Sequence, residues 1–215
     1  MSSVRASVYD YIYPFNNPSF SNYGTLGLIQ NPNARFLPEG SIAFSWSHYD
    51  PYLRGSIVAY PFDWMEASFQ YSDINNILYS QSKAFSGGQS GKDKSFDVKI
   101  RLIEESNLMP NIALGIRDLG GTGLFSSEYL VASKNLSKNI DFSFGIGWGN
   151  LNQNKVANPL KNISSRFDAR NQDLGLGGKP SVNNFFSGDA GYFAGFEYTV
   201  PNTNGIRVKI ELDGT

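Results

Sequence analysis

His48 is the single histidine of the chain. Paired with a serine, it could act as the general base of a lipase or acyltransferase. Its neighbours argue against that. Ile42, Phe44, Trp46 and His48 share one parity of an alternating stretch, which puts the imidazole on an apolar face near a rim, with no set of polar partners. The run GGQSGKDKS at 87–95 has the composition of a phosphate loop. Its glycine spacing is one residue short, Asp93 follows Lys92 where Ser or Thr would be needed, and a strand rather than a helix follows. GLGG at 175–178 and GIGWG at 145–149 lack the spacing and setting of a dinucleotide site. In the second, small residues on one strand face make room for a close neighbour. No cluster of His, Cys, Asp and Glu has metal-ligand spacing. Glu104 and Glu105 lie at a short turn, where solvated charge is expected. These residues point to a non-enzymatic protein with no metal and no cofactor.

The ordered chemistry lies in alternation. Along Ser95–Leu102, Phe96, Val98, Ile100 and Leu102 take one parity and Asp97, Lys99 and Arg101 the other. Along Gly205–Asp213, Ile206, Val208, Ile210 and Leu212 oppose Arg207, Lys209, Glu211 and Asp213. A repeat of two is that of a β-strand with one apolar and one charged face. The polar parity continues through Glu66, Ser68 and Gln70, through Ala113, Gly115 and Arg117, and through Asp141, Ser143, Gly145 and Gly147. Strands are expected at about 41–49, 54–60, 64–72, 95–103, 111–117, 127–134, 139–149, 189–199 and 205–213. Most are near the length that a tilted strand needs to cross a bilayer. Residues 1–40, rich in Asn, Pro and Ser, read as an irregular segment tucked inside or across the sheet, and 41–215 as the barrel.

Connections between these strands sort into two sets. Pro61–Asp63, Glu104–Pro110, Asn135–Lys138 and Pro201–Asn204 are short and alternate with Asp50–Leu53, Asp73–Lys94, Asp118–Ser126 and Asn150–Gly188. An up-and-down sheet puts alternate connections on opposite rims, and outer-membrane barrels have short turns on one rim and long loops on the other. Composition agrees: charged residues are 17%, aromatics 14%, with 22 glycines, against roughly 25% charged in an ordinary soluble domain. The formal charge of −1 gives no basic signature, so nucleic acid is not an implied partner. No run of apolar residues is long enough for a membrane-crossing helix, and no signal-peptide core follows Met1. On lipid-facing strands, Trp46, Tyr71, Tyr129, Trp148 and Tyr192 should fall near the long-loop rim. Tyr60, Trp64 and Tyr198 should fall near the other, as two aromatic girdles. The expected fold is an all-β, antiparallel, up-and-down transmembrane barrel of about nine or ten strands. It is expected to be incomplete, with an open edge at the last strand.

Four longer strings are more specific: GTLGLIQNPNARFLPEGSIAFSWSHYDPYLR (24–54), FSGGQSGKDKSFDVKIRLIEES (85–106), ALGIRDLGGTGLFSSEYLVASK (113–134) and FGIGWGNL (144–151). Together they resemble the YjbH/GfcD-like family of exopolysaccharide and capsule proteins of Gram-negative bacteria. The resemblance implies an outer-membrane lipoprotein or barrel that works with the proteins of a polysaccharide secretion operon, this chain matching the N-terminal barrel region of a longer protein. An N-terminal lipoprotein cysteine occurs in some of the family. This chain has no cysteine, so lipidation is not supported. The resemblance supplies no catalytic residues. It places Arg35, Arg117, Asp118, Gly120, Gly121, Gly123 and Glu128 in family-typical motifs, the three glycines reading as loop positions with positive φ.

The function expected is export or surface assembly of a polysaccharide at the outer membrane. The glycan would pass through or bind in a polar lumen lined by Glu66, Gln70, Asp97, Lys99, Arg101, Arg117, Arg207, Lys209 and Glu211. Weak, repeated hydrogen bonds are what conduction requires. Partners would be polysaccharide, outer-membrane lipid and other proteins of the operon. Alternation alone also fits a periplasmic β-sandwich that binds carbohydrate, because it does not say whether the apolar face meets lipid or a core.

Overall fold

Alternating apolar and polar residues form strands over nearly the whole chain. A computed structural model describes residues 18–171 and 182–215. The first 17 residues of the irregular segment and the GLGG run at 175–178 lie outside the described residues. The strands are β1 (Ile42–Tyr49), β2 (Tyr52–Phe62), β3 (Met65–Leu78), β4 (Ser90–Ile103), β5 (Asn111–Arg117), β6 (Ser127–Ser137), β7 (Ile140–Gly149), β8 (Lys155–Val156), β9 (Ala190–Thr199) and β10 (Arg207–Leu212). One helical turn at Lys83–Ser86 and three short 3₁₀ turns are the helical content of the described residues.

All ten strands belong to one antiparallel sheet in the order β1-β2-β3-β4-β5-β6-β7-β9-β10, with β8 beside β9. The meander puts the β2–β3, β4–β5, β6–β7 and β9–β10 turns on one rim and the longer connections on the other, as the loop pattern predicts. One sheet is present rather than the two of a sandwich. Strand β10 pairs with β9 and β1 with β2, and the two do not pair with each other. The sheet is therefore open among the described residues. Leu26–Ile29 adds no strand to it: the segment makes only isolated bridges, Phe20 with Leu26 and Gly27 with Pro32.

Burial is reversed relative to a water-soluble domain. Among the described residues, buried polar side chains outnumber buried apolar ones. Ile42, Phe44, Trp46, Ile57, Phe96 and Ile210 are exposed, Phe44 to 78%. Lys99, Glu66, Gln70 and Arg54 on the opposite parity are all under 3% exposed. The expected parity of β4 and β10 holds: Phe96, Leu102, Val208 and Ile210 face out, and Lys99, Arg101, Arg207 and Lys209 face in. His48 is exposed on the outer parity.

Residues 18–37 occupy the concave side, and the sheet curls around them. Strands from edge to edge reach this segment: Ser47 of β1 donates to the Asn22 carbonyl, Ser133 of β6 accepts from the Ala34 N–H, and Lys209 of β10 donates to the Phe20 carbonyl. Leu26 and Leu28 of the segment are buried, Leu26 against Val58 and Tyr60 and Leu28 against the backbone of Gly195. Glycines on the wall make room for inward rings. A Cβ on Gly145 would lie 2.2 Å from the Phe193 ring opposite it, and one on Gly115 would lie 2.1 Å from Tyr129. Close ring-on-glycine pairs across strands fit this tight curvature.

Three girdle assignments are corrected. Tyr60 and Tyr129 face inward and are 0% and 4% exposed. Strand β6 has apolar residues on both parities (Tyr129 and Val131 against Leu130 and Ala132), so alternation could not choose its outer face. Trp148 has the outward parity but is covered: Phe186 of the β8–β9 connection packs edge-on at 5.2 Å. Trp46, Trp64, Tyr71 and Tyr192 are exposed as expected, and Tyr198 is half-buried on the outer parity. The expected loop Asp73–Lys94 is also shorter. Strand pairing runs on to Ile74 opposite Gly91 and Leu78 opposite Ser90. Asp73 there takes Ser90 and Lys92 as partners, so the polar sequence stabilises a hairpin extension.

Candidate functional site

The nine residues expected to line a lumen all lie on the concave face. Their bonds go mostly to residues 18–37 and to one another. Glu211 accepts from the N–H groups of Ile29, Gln30 and Asn31 at 2.9, 2.8 and 3.2 Å. Lys209 donates to the carbonyls of Phe20, Gly27 and Leu28 at 2.9, 3.0 and 2.8 Å. A carboxylate holding three amides beside an ammonium holding three carbonyls satisfies backbone groups that have no sheet partner. Arg117 donates to the Gln30 carbonyl and Lys99 to that of Arg35. Gln70 donates to the Tyr23 carbonyl and to Ser56 Oγ. Lys99 lies 3.1 Å from Glu66, which also accepts from the Tyr60 hydroxyl at 2.6 Å. Asp97 accepts from the Asp118 N–H at 2.8 Å. Arg207 lies 3.1 Å from Glu197, and Arg101 stacks on the Phe36 ring at 4.7 Å.

Arg35 is the centre of the largest ion group. Its Nε and Nη2 hold both oxygens of Asp141 at 2.8 and 2.6 Å, and Nη1 holds Glu105. Glu105 also accepts from the Asn135 N–H at 2.9 Å and is 9% exposed. The expectation that Glu104–Glu105 would be solvated is correct for Glu104 and wrong for Glu105. Neighbours in sequence, they take opposite faces of the chain.

At the long-loop rim the concave side ends in a cavity of about 570 Å³, within the size range of small-molecule sites. Tyr23 of the N-terminal segment, Tyr52 and Arg54 of β2, and Phe125 of the β5–β6 loop meet there. Tyr52 and Tyr23 each pack edge-on against Phe125, at 5.5 and 6.3 Å. The Arg54 guanidinium lies 4.3 Å from the Tyr23 ring and 4.4 Å from the Tyr52 ring, and Arg117 lies 3.9 Å from Tyr23. Tyr23 thus faces two cations. Tyr49 and Asn76, both exposed, form the mouth. Sequence reasoning missed this constellation. Its one legible signal is Arg54, which shares the inward parity of Ser56, Val58 and Tyr60.

The β5–β6 loop beside it is ordered by Asp118 and its glycines. Asp118 has φ 58 and accepts from the Phe125 N–H at 3.2 Å. Burial, with Asp93 close by, pushes its carboxyl up to about 6. Positive φ holds for Gly123 (88°). Gly121 is small for a different reason: a Cβ there would lie 1.8 Å from Asp118 Oδ1 and 2.4 Å from the Lys94 carbonyl. Gly120 has open space apart from Phe96 at 3.9 Å. Glu128 lies on the outer parity and is 0% exposed. Arg170 grips both its oxygens at 2.8 and 3.0 Å, and the Phe186 N–H donates to it at 2.8 Å. It fastens the long β8–β9 connection over the outer face.

No group of His, Cys, Asp and Glu suited to a metal ion occurs among the described residues. Among the described residues no helix is long and apolar enough to cross a membrane, which says nothing of strands. No solved structure matches the chain. It is 40% identical over 213 residues to the "Uncharacterized lipoprotein YjbH" of Escherichia coli K12, an alignment covering 98% of this chain. The chain spans 30% of that lipoprotein's length. The profile of the YjbH family, described as "Exopolysaccharide biosynthesis protein", matches residues 19–215. A match over almost all of the described chain and this degree of identity place it plainly: the chain belongs to the YjbH family of exopolysaccharide biosynthesis proteins.

Proposed function

We propose that this chain is a non-enzymatic outer-membrane component of exopolysaccharide export or surface assembly. Its ten strands form part of a transmembrane β-wall, and it holds polysaccharide at the rim cavity. One observation carries the reading: the apolar parity of the wall is exposed while its charged parity is buried. In water an exposed face of Phe44, Trp46, Ile57 and Ile210 would be unfavourable. In hydrocarbon it is the expected arrangement of a membrane strand. Residues 18–40 then belong to the lumen and strands β1 to β10 to the wall. The lumenal charges fasten the segment at 18–37, so glycan contact falls to the crevice above it. The unpaired edges of β1 and β10 could not face lipid as they stand. Further strands, from additional chain or another subunit, would close them. Family membership favours a polysaccharide as the ligand and other proteins of the same operon as partners.

The test is tryptophan fluorescence in vesicles with brominated acyl chains. Trp46 and Trp64 are quenched by the bromines and Trp148, under Phe186, is not. A chain that is monodisperse without detergent and shows no quenching would overturn the membrane reading.

A further inference from the structure

We propose that the rim cavity recognises an anionic glycan, one bearing uronate carboxylates, through Arg54. The inference rests on the reading of this cavity as the glycan site and adds the charge class of the sugar.

Arg54 is 2% exposed. Among the described residues it has no carboxylate within salt-bridge distance, and its buried Nε has no hydrogen-bond partner. Arg117 is 3% exposed, likewise lacks a salt bridge, and leaves Nη1 unpartnered. Other deeply buried cations of the wall and its segment are compensated: Arg35 holds two carboxylates and Lys99 holds Glu66. Stacking on Tyr23 and Tyr52 contributes less than an ion pair and leaves the in-plane Nε–H without a partner. A planar guanidinium with an unmet in-plane donor matches a carboxylate. Gln30 Oε1, also on the cavity wall, is a second unpartnered buried atom, an acceptor suited to a sugar hydroxyl. Tyr49, exposed at the mouth, offers an aromatic ring suited to a pyranose, which presents C–H groups on one side and hydroxyls at the edge. Asp213 is the acidic residue of the lining, and its carboxylate is engaged by the Thr215 N–H and hydroxyl at 2.9 Å. That contact leaves its charge in place, so the lining carries one cation and one anion, and the Nε of the cation is the donor left without a partner.

The experiment uses the full chain in detergent and titrates two probes, oligogalacturonate and the same oligomer with its carboxyls reduced. The charged oligomer is expected to bind about 10-fold tighter or more, the scale of one charge-assisted hydrogen bond. Arg54→Gln removes that preference. Asn76→Glu at the exposed mouth, which leaves the buried framework intact, also weakens the charged probe and not the reduced one. Inorganic phosphate competing as well as the oligomer would show a site for a bare oxyanion and overturn the glycan assignment. Equal binding of the two oligomers overturns this inference and leaves the cavity as a glycan site. Binding of neither overturns both.

Discussion

The two halves of the concave side treat buried charge in opposite ways. Towards the short-turn rim, Arg35, Lys99 and Glu105 are locked into ion pairs. At the long-loop rim Arg54 and Arg117 lean on rings with polar atoms unpaired. Burying a charge costs several kcal/mol unless partners compensate it. The first region has the chemistry of a fastening, with Arg35 and Lys99 paired to carboxylates. The second has the chemistry of a receptor, whose missing partner would come from outside.

Breaking the fastening should produce the largest effect. Arg35→Met leaves Asp141 without its cation and Glu105 with Lys134 alone at 3.4 Å, and should cost about 3 kcal/mol, seen as a lowered unfolding midpoint in detergent. A loss under about 1 kcal/mol would show that the two regions do not differ. Next comes the outer face that shields both. Phe44→Arg in a lipid vesicle should cost about 2–4 kcal/mol if this position lies near the bilayer midplane. An effect within about 0.5 kcal/mol, as for a water-exposed surface site, would mean that both regions are closed off by something other than lipid.

A smaller effect separates the regions by pH. Asp118, in the loop beside the cavity, has its carboxyl raised from 3.8 to about 6. The folded chain therefore binds this proton more tightly than the unfolded chain does. Its contribution is fully present below about pH 4 and is lost as pH rises through about 6. Allowing for partial solvent screening, the loss should be about 1–2 kcal/mol. Asp118→Asn should flatten that slope, and an unchanged pH profile of the unfolding midpoint would remove Asp118 from the account. The smallest effect is the sharpest contrast with Arg35. Arg54→Met should change stability by less than about 1 kcal/mol, or raise it. It removes an uncompensated charge, and a thioether packs well on the same rings. A loss comparable to that of Arg35→Met would make Arg54 a fastening too.

Much of this was legible along the chain. Alternation assigned the strands and the inward face of Lys99, Arg101, Arg207 and Lys209, because the strand repeat is a local property of two neighbouring residues. Short and long connections assigned the rims, because a meander allows only that sorting. The resemblance carried by the strings at 24–54 and 113–134 pointed to the family. Alternation failed at β6, where both parities are apolar, and at Trp148, whose parity is right but whose cover comes from Phe186, 38 residues later in the chain. Glu105 was misread because its cation, Arg35, lies 70 residues away.

What the sequence by itself determined was therefore periodic: which residues share a face, and on which rim each turn lies. What only the tertiary structure decided was non-local. It put residues 18–37 inside the curl of the sheet, left β1 and β10 unpaired with each other, and gathered Tyr23, Arg54 and Phe125 around one cavity. No spacing rule links those three residues. They meet because the sheet bends around a segment whose amides and carbonyls must find partners on the wall.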